Sequence, residues 1–329
     1  MFEDKLLAGE IIPDISSLEP IKDGQSGSCI YRAEKEGGGK FVLKITRPEN
    51  IPDYLLNQYP KIADVEFYFY REIFPHLEFP APIVYEQALL PGGGNYILLS
   101  DISESFNIPS QTKYLKKESW EKILRSFAAF HYYCRTSFGK NGIPDWLNPS
   151  LFDKFSPEKT ISTLFELARI PNTKKLVEDL VNAPGLEKLA EKTQEKTRDI
   201  DPTLVHNDFF PGNIGLPLSK KDKAAILDWQ LASSGPAEID LSQMDLQWDD
   251  YWLEFYLEKL HELGEEKKSP GDFRENFLFC QLLNDGIFLP VILKAAQRNI
   301  KENKNLSPWM EECLKKFVQN WKKALDNFS

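Results

Sequence analysis

Hydrophobic and polar positions change rhythm once along this chain. Up to about residue 100 the apolar residues sit in short runs of strand length, at 18–22, 29–33, 41–45 and 96–99, separated by turn residues. Gly24-Gln25-Ser26-Gly27 joins the first two runs and Lys35-Glu36-Gly37-Gly38-Gly39 the next two. Glycine supplies the positive φ that tight hairpins require, so an antiparallel sheet is expected. Ile62, Val65, Phe69 and Ile73 recur at helical spacing, which places a helix of about three turns between the third and fourth strands. Pro75 and Pro80 end it.

Beyond residue 100 the apolar positions fall at i, i+3 and i+4 through 120–134, 162–168, 174–181, 241–260 and 277–298, so the rest of the chain reads as mainly helical. The polar segment 103–113, with Pro109 and several Ser residues, reads as a linker. An α+β chain is expected, with a sheet-rich part at 1–101 and a larger helical part at 102–329. One interruption stands out. Two short apolar runs, 204–205 and 224–227, flank a loop of His, Asp, Asn, Pro and Gly, and such loops on a regular scaffold are where chemistry concentrates.

Composition narrows the function. With 329 residues, 42% hydrophobic and 27% charged, the chain has enough material for one or two ordinary cores. Forty Lys and Arg against fifty Asp and Glu give a net charge of −10, which argues against nucleic acid or an anionic membrane as partner. Cys29, Cys134, Cys280 and Cys313 are scattered without metal-ligand spacing and read as free thiols. No secretory leader and no run of roughly 18 apolar residues is apparent, so a cytoplasmic protein without a membrane span is expected.

The central loop reads His206-Asn207-Asp208-Phe209-Phe210-Pro211-Gly212-Asn213, with Asp228 fifteen positions after Asn213 in Ile226-Leu227-Asp228-Trp229. An aspartate that takes a hydroxyl proton, an asparagine five residues on, and a second aspartate after a short strand form a set for phosphoryl transfer, the last two holding Mg²⁺. A single loop Asp is usually a turn former or a cap. Four positions at matching spacings outweigh that reading.

These residues, H-x-D-x-x-x-x-N followed by I-L-D-W, resemble the catalytic core of the aminoglycoside phosphotransferase and choline kinase family. The resemblance implies a two-lobed protein-kinase-like fold, with an antiparallel-sheet N-lobe and a helical C-lobe. It further implies ATP and Mg²⁺ as cofactors and a small-molecule hydroxyl as acceptor. Asp208 would orient the acceptor, Asn213 and Asp228 would hold Mg²⁺, and His206 would brace the loop. Upstream, Gly24, Ser26 and Gly27 would close over the phosphates. Lys44, on one strand face with Val42, would reach the same phosphates, whereas Lys40 belongs to the turn. The run from Glu66 to Pro75 resembles the corresponding helix of the ecdysteroid-kinase-like branch, where the first glutamate orients the lysine. Glu66 is therefore chosen over Glu72, which reads as solvated. Residues 95–102 resemble the strand entering the hinge, so backbone groups at Ser100 and Ile102 would meet adenine.

The chain departs from protein kinases in three places. Phe210 stands where a lysine is usual, Asp228-Trp229-Gln230 replaces D-F-G, and only eleven residues separate Asp228 from Asp240, too few for an activation segment. A protein substrate is disfavoured on that ground. Asp240 reads as a cap on the next helix. The main rival is a silent nucleotide-binding pseudokinase acting as an interaction module, which the filled catalytic positions disfavour. Residues 237–258 hold seven acids (Glu238, Asp240, Asp245, Asp249, Asp250, Glu254 and Glu258) with Trp248, Tyr251, Trp252 and Phe255 at helical spacing. The plainer reading is a buried aromatic face with solvated acids. The sharper one is a pocket for a cationic acceptor.

Overall fold

The computed structural model describes residues 9, 11, 15–23, 27–77, 79–80, 82–109, 115–209, 211–219, 223–244, 250–302 and 305–328. The N-terminal part forms a five-stranded antiparallel sheet from β1 (Ile15–Asp23), β2 (Ser28–Lys35), β3 (Lys40–Thr46), β4 (Val84–Leu89) and β5 (Asn95–Ser100), in the order β1-β2-β3-β5-β4. Alternation along β3 divides its residues between two faces. Leu43 and Ile45 pair with Leu98 and Tyr96 and bury against Tyr31 and Ala33. Lys44 and Thr46, opposite Ile97 and Asn95, take the other face. β4 went unread in the sequence because it is an edge strand with Tyr85, Glu86 and Leu89 exposed, which leaves it no apolar rhythm.

A short helix, α1 (Asp53–Gln58), follows β3, and the expected three-turn helix is a composite. It starts as α2 (Val65–Tyr68), widens to a π-turn over Phe69–Ile73, then tightens to a 3₁₀ turn over Phe74–His76 that contains Pro75. A π-turn inserts one extra residue, which rotates the aromatic side chains relative to a plain helix. The presumed linker also carries structure. Phe106–Asn107 forms β6 and pairs with β7 (Ile214–Pro217), which pairs in turn with β8 (Ala225–Ile226), while residues 110–113 of that linker lie outside the described residues.

The chain divides into two compact units. The first, Met1–Pro149 with His206–Ser233 and Met244–Lys267, holds the sheet, the 25-residue helix α3 (Lys117–Asn141) and the central loop. The second comprises Ser150–Val205, Ser234–Gln243 and Lys268–Ser329. It is built on α4 (Pro157–Ala168), α5 (Pro171–Val181), α6 (Leu186–Arg198), the short α7 (Glu238–Ser242), and the two long helices α9 (Pro270–Lys301) and α10 (Pro308–Phe328). Ser156 caps α4, its hydroxyl accepting the Lys159 N–H at 3.1 Å with Pro157 in the first turn, the sequence signature of a helix start. Helix α6 escaped the periodicity because threonines complete its buried stripe of Leu186, Leu189, Ala190, Thr193 and Thr197. Each threonine donates its hydroxyl to the carbonyl four residues back, Leu189 at 2.8 Å and Thr193 at 2.7 Å, so a polar residue is buried with its proton satisfied.

The single helix expected over 241–260 is two, α7 and α8 (Asp250–Glu262), with residues 245–249 outside the described set. Asp240 lies inside α7 and fully buried, not at its cap, which is Ala237. The expectation that no run is long and apolar enough to cross a membrane is also corrected. Residues Pro270–Asn299 of α9 meet that length and composition, with 44% of the apolar window buried. Its Phe279, Leu283 and Leu289 pack with Phe317 and Trp321 of α10 in the core of the second unit, which is how a core helix of this length comes to be so apolar.

On that helix Asp285 accepts a hydrogen bond from Asn320 Nδ2 of α10 at 2.9 Å. Burial pushes its pKa up to about 7, against the Asn320 amide and the Lys316 charge. The unfolded value is about 3.9, so the folded state holds the proton more tightly between those two values, and stability falls as pH rises through that window. Asp285→Asn keeps an acceptor for Asn320 and removes the ionisation. The variant is expected to unfold a few degrees above the parent at pH 8, the scale of about one kcal/mol in a protein of this size, and level with it at pH 4.5. Thermal melts at the two pH values check this, and a gap of the same size at both would refute it.

Candidate active site

The site begins with Lys44. Its strand face carries the side chain inward, where it is 5% exposed, with Nζ 2.6 Å from Glu66 Oε2 and 2.7 Å from Asp228 Oδ1. Burial alone would lower its pKa, but Asp228 and Glu66 together raise it above the ordinary ammonium value. The two carboxylates respond differently to the same cation. Burial dominates at Glu66 and raises it, whereas at Asp228 the Lys44 charge and hydrogen bond overcome burial and lower it. Glu72 stands apart from this cluster, accepting hydrogen bonds from Arg71 and from Trp146 Nε1, each at 2.6 Å.

The loop that delivers Asp208 is tied at both ends. His206 is buried, its Nε2 donating to the Leu227 carbonyl at 2.8 Å and its Nδ1 accepting the Asp208 N–H at 3.2 Å. Asn207 holds a left-handed backbone, φ 60°, which asparagine tolerates better than most residues, and its Nδ2 donates to Tyr59 Oη at 3.2 Å. A 3₁₀ turn over Pro211–Asn213 folds the chain back so that Asn213 Nδ2 donates to both the carbonyl and Oδ2 of Asp208, each at 3.0 Å. Asp208 lies close enough to feel Asp228. Burial first and that neighbouring charge second push its pKa up to about 6. Asp228 is the other left-handed residue, φ 62°.

Aromatic side chains hold these strained turns in place. The Trp229 ring stacks on Phe69 at 3.7 Å between centroids and meets Phe130 and His206 edge-on at 4.8 and 4.6 Å. The ring that follows Asp228 thus touches the π-turn after Glu66, the helix α3 and the histidine before Asp208. Three further residues join the cluster. Tyr59 faces Asn207, as described above. Asn148 accepts the Lys61 N–H at 3.1 Å and donates to the carbonyls of Gln230 and Ala232 at 3.1 and 3.0 Å. Gln230 reaches Ser28 and Thr46. In the sequence only Gln230 gave any sign, as the residue in place of the D-F-G glycine; Tyr59 and Asn148 gave none.

Of the expected phosphate-cradle residues, Gly24 and Ser26 lie outside the described residues. Gly27 is described, with φ 86°, and a Cβ on it would fall 2.6 Å from the Asn50 carbonyl oxygen. Only glycine fits that approach. At the end of β5, Ser100 gives its N–H to the Ile83 carbonyl at 2.8 Å and takes the Ile83 N–H on its hydroxyl at 2.8 Å. The Ile102 carbonyl accepts from Ser105 and Phe106 N–H, both at 2.9 Å. Asp101 between them is bonded to Arg32 at 2.7 Å and to the Ser103 N–H at 2.9 Å.

On α8 the acids Asp250, Glu254 and Glu258 are exposed, while Glu238 and Asp240 are buried, so the seven acids do not form one solvated face. Asp245, Trp248 and Asp249 lie outside the described residues. The aromatic rings meet cations of the same unit. Lys117 Nζ stands 3.8 Å over Tyr251, and Arg125 and Lys259 lie 5.2 and 5.3 Å from the Phe255 centroid.

Among the described residues no group of three or more His, Cys, Asp or Glu is placed to hold a metal. That suits Mg²⁺ in a nucleotide site, which uses one or two protein ligands together with phosphate oxygens and water. Asn213 spends its amide nitrogen on Asp208, so its carbonyl oxygen is the atom it can offer a cation, and Asp228 supplies an ionised carboxylate. The donor set fits a hard divalent ion.

Residues 135–273 match the model of the phosphotransferase enzyme family, a stretch that contains Asp208, Asn213 and Asp228. The resemblance read from the motifs is borne out. Among solved structures, a point mutant of aminoglycoside 2'-phosphotransferase-IIIa in complex with GDP is 12% identical, covering 100% of this chain and 99% of its own, TM-score 0.60. Choline kinase LicA from Streptococcus pneumoniae is 13% identical over 98% of this chain and 100% of its own, TM-score 0.58. An ethanolamine kinase of Plasmodium vivax is 10% identical over 97% and 85%, TM-score 0.57. No curated protein matches. At these identities the structures establish a protein-kinase-like fold, and the segment that matches the phosphotransferase family model lies within it.

The pairing at Lys44 makes the two candidate glutamates separable. Glu66→Gln removes a charge-assisted hydrogen bond worth about 1.5–3 kcal/mol and is expected to lower kcat/KM by roughly tenfold or more. Glu72→Gln is expected to leave it unchanged. Steady-state kinetics on both variants decide, and equal losses would show that Lys44 is not oriented from α2.

Proposed function

We propose that this phosphotransferase-family chain is a small-molecule kinase that transfers the γ-phosphoryl group of Mg-ATP to a substrate hydroxyl. The reading rests on one observation above all: Asp208, Asn213 and Asp228 converge with the Lys44–Glu66 pair in one compact unit, although they come from segments 44, 66 and 208–228. In this reading residues 1–101 cradle ATP and residues 102–329 carry the catalytic loop and the acceptor site. The protein works on ATP and Mg²⁺ as cofactors in the cytoplasm.

The chemistry follows from the placement of charge. Asn213 and Asp228 would hold Mg²⁺ through their oxygens, and the ion would supply neutralisation of phosphate charge. Lys44, protonated and fixed between two carboxylates, would present its ammonium to the ATP phosphates, over which the glycine segment with Gly24, Ser26 and Gly27 is proposed to close, and backbone groups at Ser100 and Ile102 would meet the adenine. Asp208 accepts the acceptor hydroxyl proton as the new O–P bond forms and the bond to ADP breaks. A carboxylate whose burial lifts its pKa toward neutrality is a better proton acceptor than an exposed one. Asn213 holds Asp208 Oδ2, so the proton goes to a carboxylate of fixed orientation.

Asp208→Asn is expected to bind Mg-ATP like the parent yet turn over more slowly by on the order of 10²–10⁴, and Asp228→Ala to lose Mg-dependent turnover. ADP release is measured against a panel of neutral, cationic and anionic hydroxyl compounds. Stimulation by at least one acceptor supports the kinase; Mg-ATP binding without stimulation by any would favour a nucleotide-binding pseudokinase. A cationic compound as best acceptor would support the sharper reading of the acidic-aromatic helix.

A further inference from the structure

Gln230 is a buried amide that the catalytic scheme does not use. It is 2% exposed, two residues beyond Asp228. Its backbone N–H donates to the Asp228 carboxylate, and its backbone carbonyl accepts from Asn148 at 3.1 Å. Its side chain runs the other way. Nε2 donates to Ser28 Oγ and, at 3.3 Å, to Thr46 Oγ1. Those two hydroxyls are themselves 2.8 Å apart, and both residues are 2% exposed.

The place of that hydroxyl pair gives the contact its meaning. Ser28 and Thr46 are register partners at the end of the β2–β3 ladder, so they form the rung nearest the glycine segment that ends at Gly27. Thr46 also lies two residues beyond Lys44, on the same strand face. One residue therefore touches the Asp228 carboxylate with its main chain and the root of the phosphate cradle with its side chain. An amide nitrogen carries two protons, and here it has two hydroxyl acceptors. A buried polar contact so satisfied fixes geometry, whereas an apolar contact would tolerate sliding.

We infer that Gln230 is a positioning residue for the nucleotide: it locks the Asp228 turn to the Ser28–Thr46 rung, so that the proposed metal ligand and the phosphate cradle keep a fixed register before ATP arrives. The inference rests on the kinase reading and goes beyond it, since it assigns the nucleotide side of the site a lock made of one amide and two hydroxyls. It also gives a physical role to the residue that stands where protein kinases have the glycine of D-F-G. A glycine there carries no side chain and could make no such bond.

The test separates nucleotide binding from acceptor binding and from folding. Gln230→Ala is expected to raise the Mg-ATP dissociation constant, measured by calorimetry, on the order of tenfold, the scale of one buried hydrogen bond. KM for the acceptor should stay within about twofold. Thr46→Val and Ser28→Ala, which remove the hydroxyls with little change of shape, should weaken Mg-ATP in the same direction, while Thr46→Ser, which keeps the hydroxyl, should bind as the parent does. Combined with Gln230→Ala, the double hydroxyl variant should add little further loss, because the three groups act as one unit. Parental Mg-ATP affinity in folded Gln230→Ala, or full additivity, or equal losses for Thr46→Ser and Thr46→Val, would overturn the lock. If Gln230→Ala does not fold, the Thr46 pair still decides. A parent protein that binds no Mg-ATP at all would instead overturn the kinase reading beneath it.

Discussion

A buried lysine shared by two carboxylates is the interaction on which the rest of the first unit depends. Lys44, Glu66 and Asp228 come from a strand, a helix and a loop separated by up to 184 residues, and each would be costly to bury alone. Together they need one another, so the sheet, the composite helix and the loop must arrive at one point. The cluster is not neutral. One ammonium faces the carboxylates of Glu66, Asp228 and Asp208, and that excess of negative charge helps to lift Asp208. A divalent cation beside Asp228 and Asn213 would offset it, so this imbalance of charge favours a cation at the proposed metal site.

Electrostatics alone could not hold Asp228 at φ 62°. A non-glycine residue in that region costs free energy, which the surroundings must offset. The Trp229 ring, fully buried between Phe69, Phe130 and His206, anchors the residue directly after the turn. Phe69, the first residue of the π-turn, lies under that ring three residues after Glu66, which meets Lys44. Sequence periodicity saw an ordinary helix there, because a π-turn disturbs spacing by a single residue and leaves composition unchanged.

That contrast explains what was legible beforehand. The strands with a buried face, the long helices and the loop residues Asp208, Asn213 and Asp228 could be read because chemistry or a two-sided environment restricts the residue type at each. Lys44 could be read because strand alternation sets its face, and Glu66 because the run that begins with it resembles the corresponding helix of a known family. The edge strand β4 could not, since exposure removes the alternation. Helix α6 could not, since threonine satisfies its own hydroxyl within the helix and so serves in a core as an apolar residue would. The apolar helix α9 was misjudged for a related reason: Asn284 and Asp285 break its apolar run, yet apolar residues dominate on both sides of them. Tyr59 and Asn148 carry no motif, and Gln230 stands out only as a departure from one; their roles arise from contacts between distant segments that one-dimensional spacing does not encode.

In the acidic-aromatic helix, placement qualifies what composition suggests. Carboxylates beside aromatic rings on α8 read as a reception site for a cation, and the net charge of −10 strengthened that reading. In the folded unit the ring of Tyr251 already carries the ammonium of Lys117, whose pKa is raised by that tyrosine and by Glu121 nearby, and Phe255 is flanked by Arg125 and Lys259. A ring face that holds a cation of its own gains little from a second, because the incoming charge must displace the resident one and meets its repulsion. Selectivity for a cationic acceptor at these two rings would therefore require Lys117 or Arg125 to move aside. Resident cations of this kind neutralise a chain's own acids, and an acidic stretch with aromatics becomes a binding surface only where its rings are left bare.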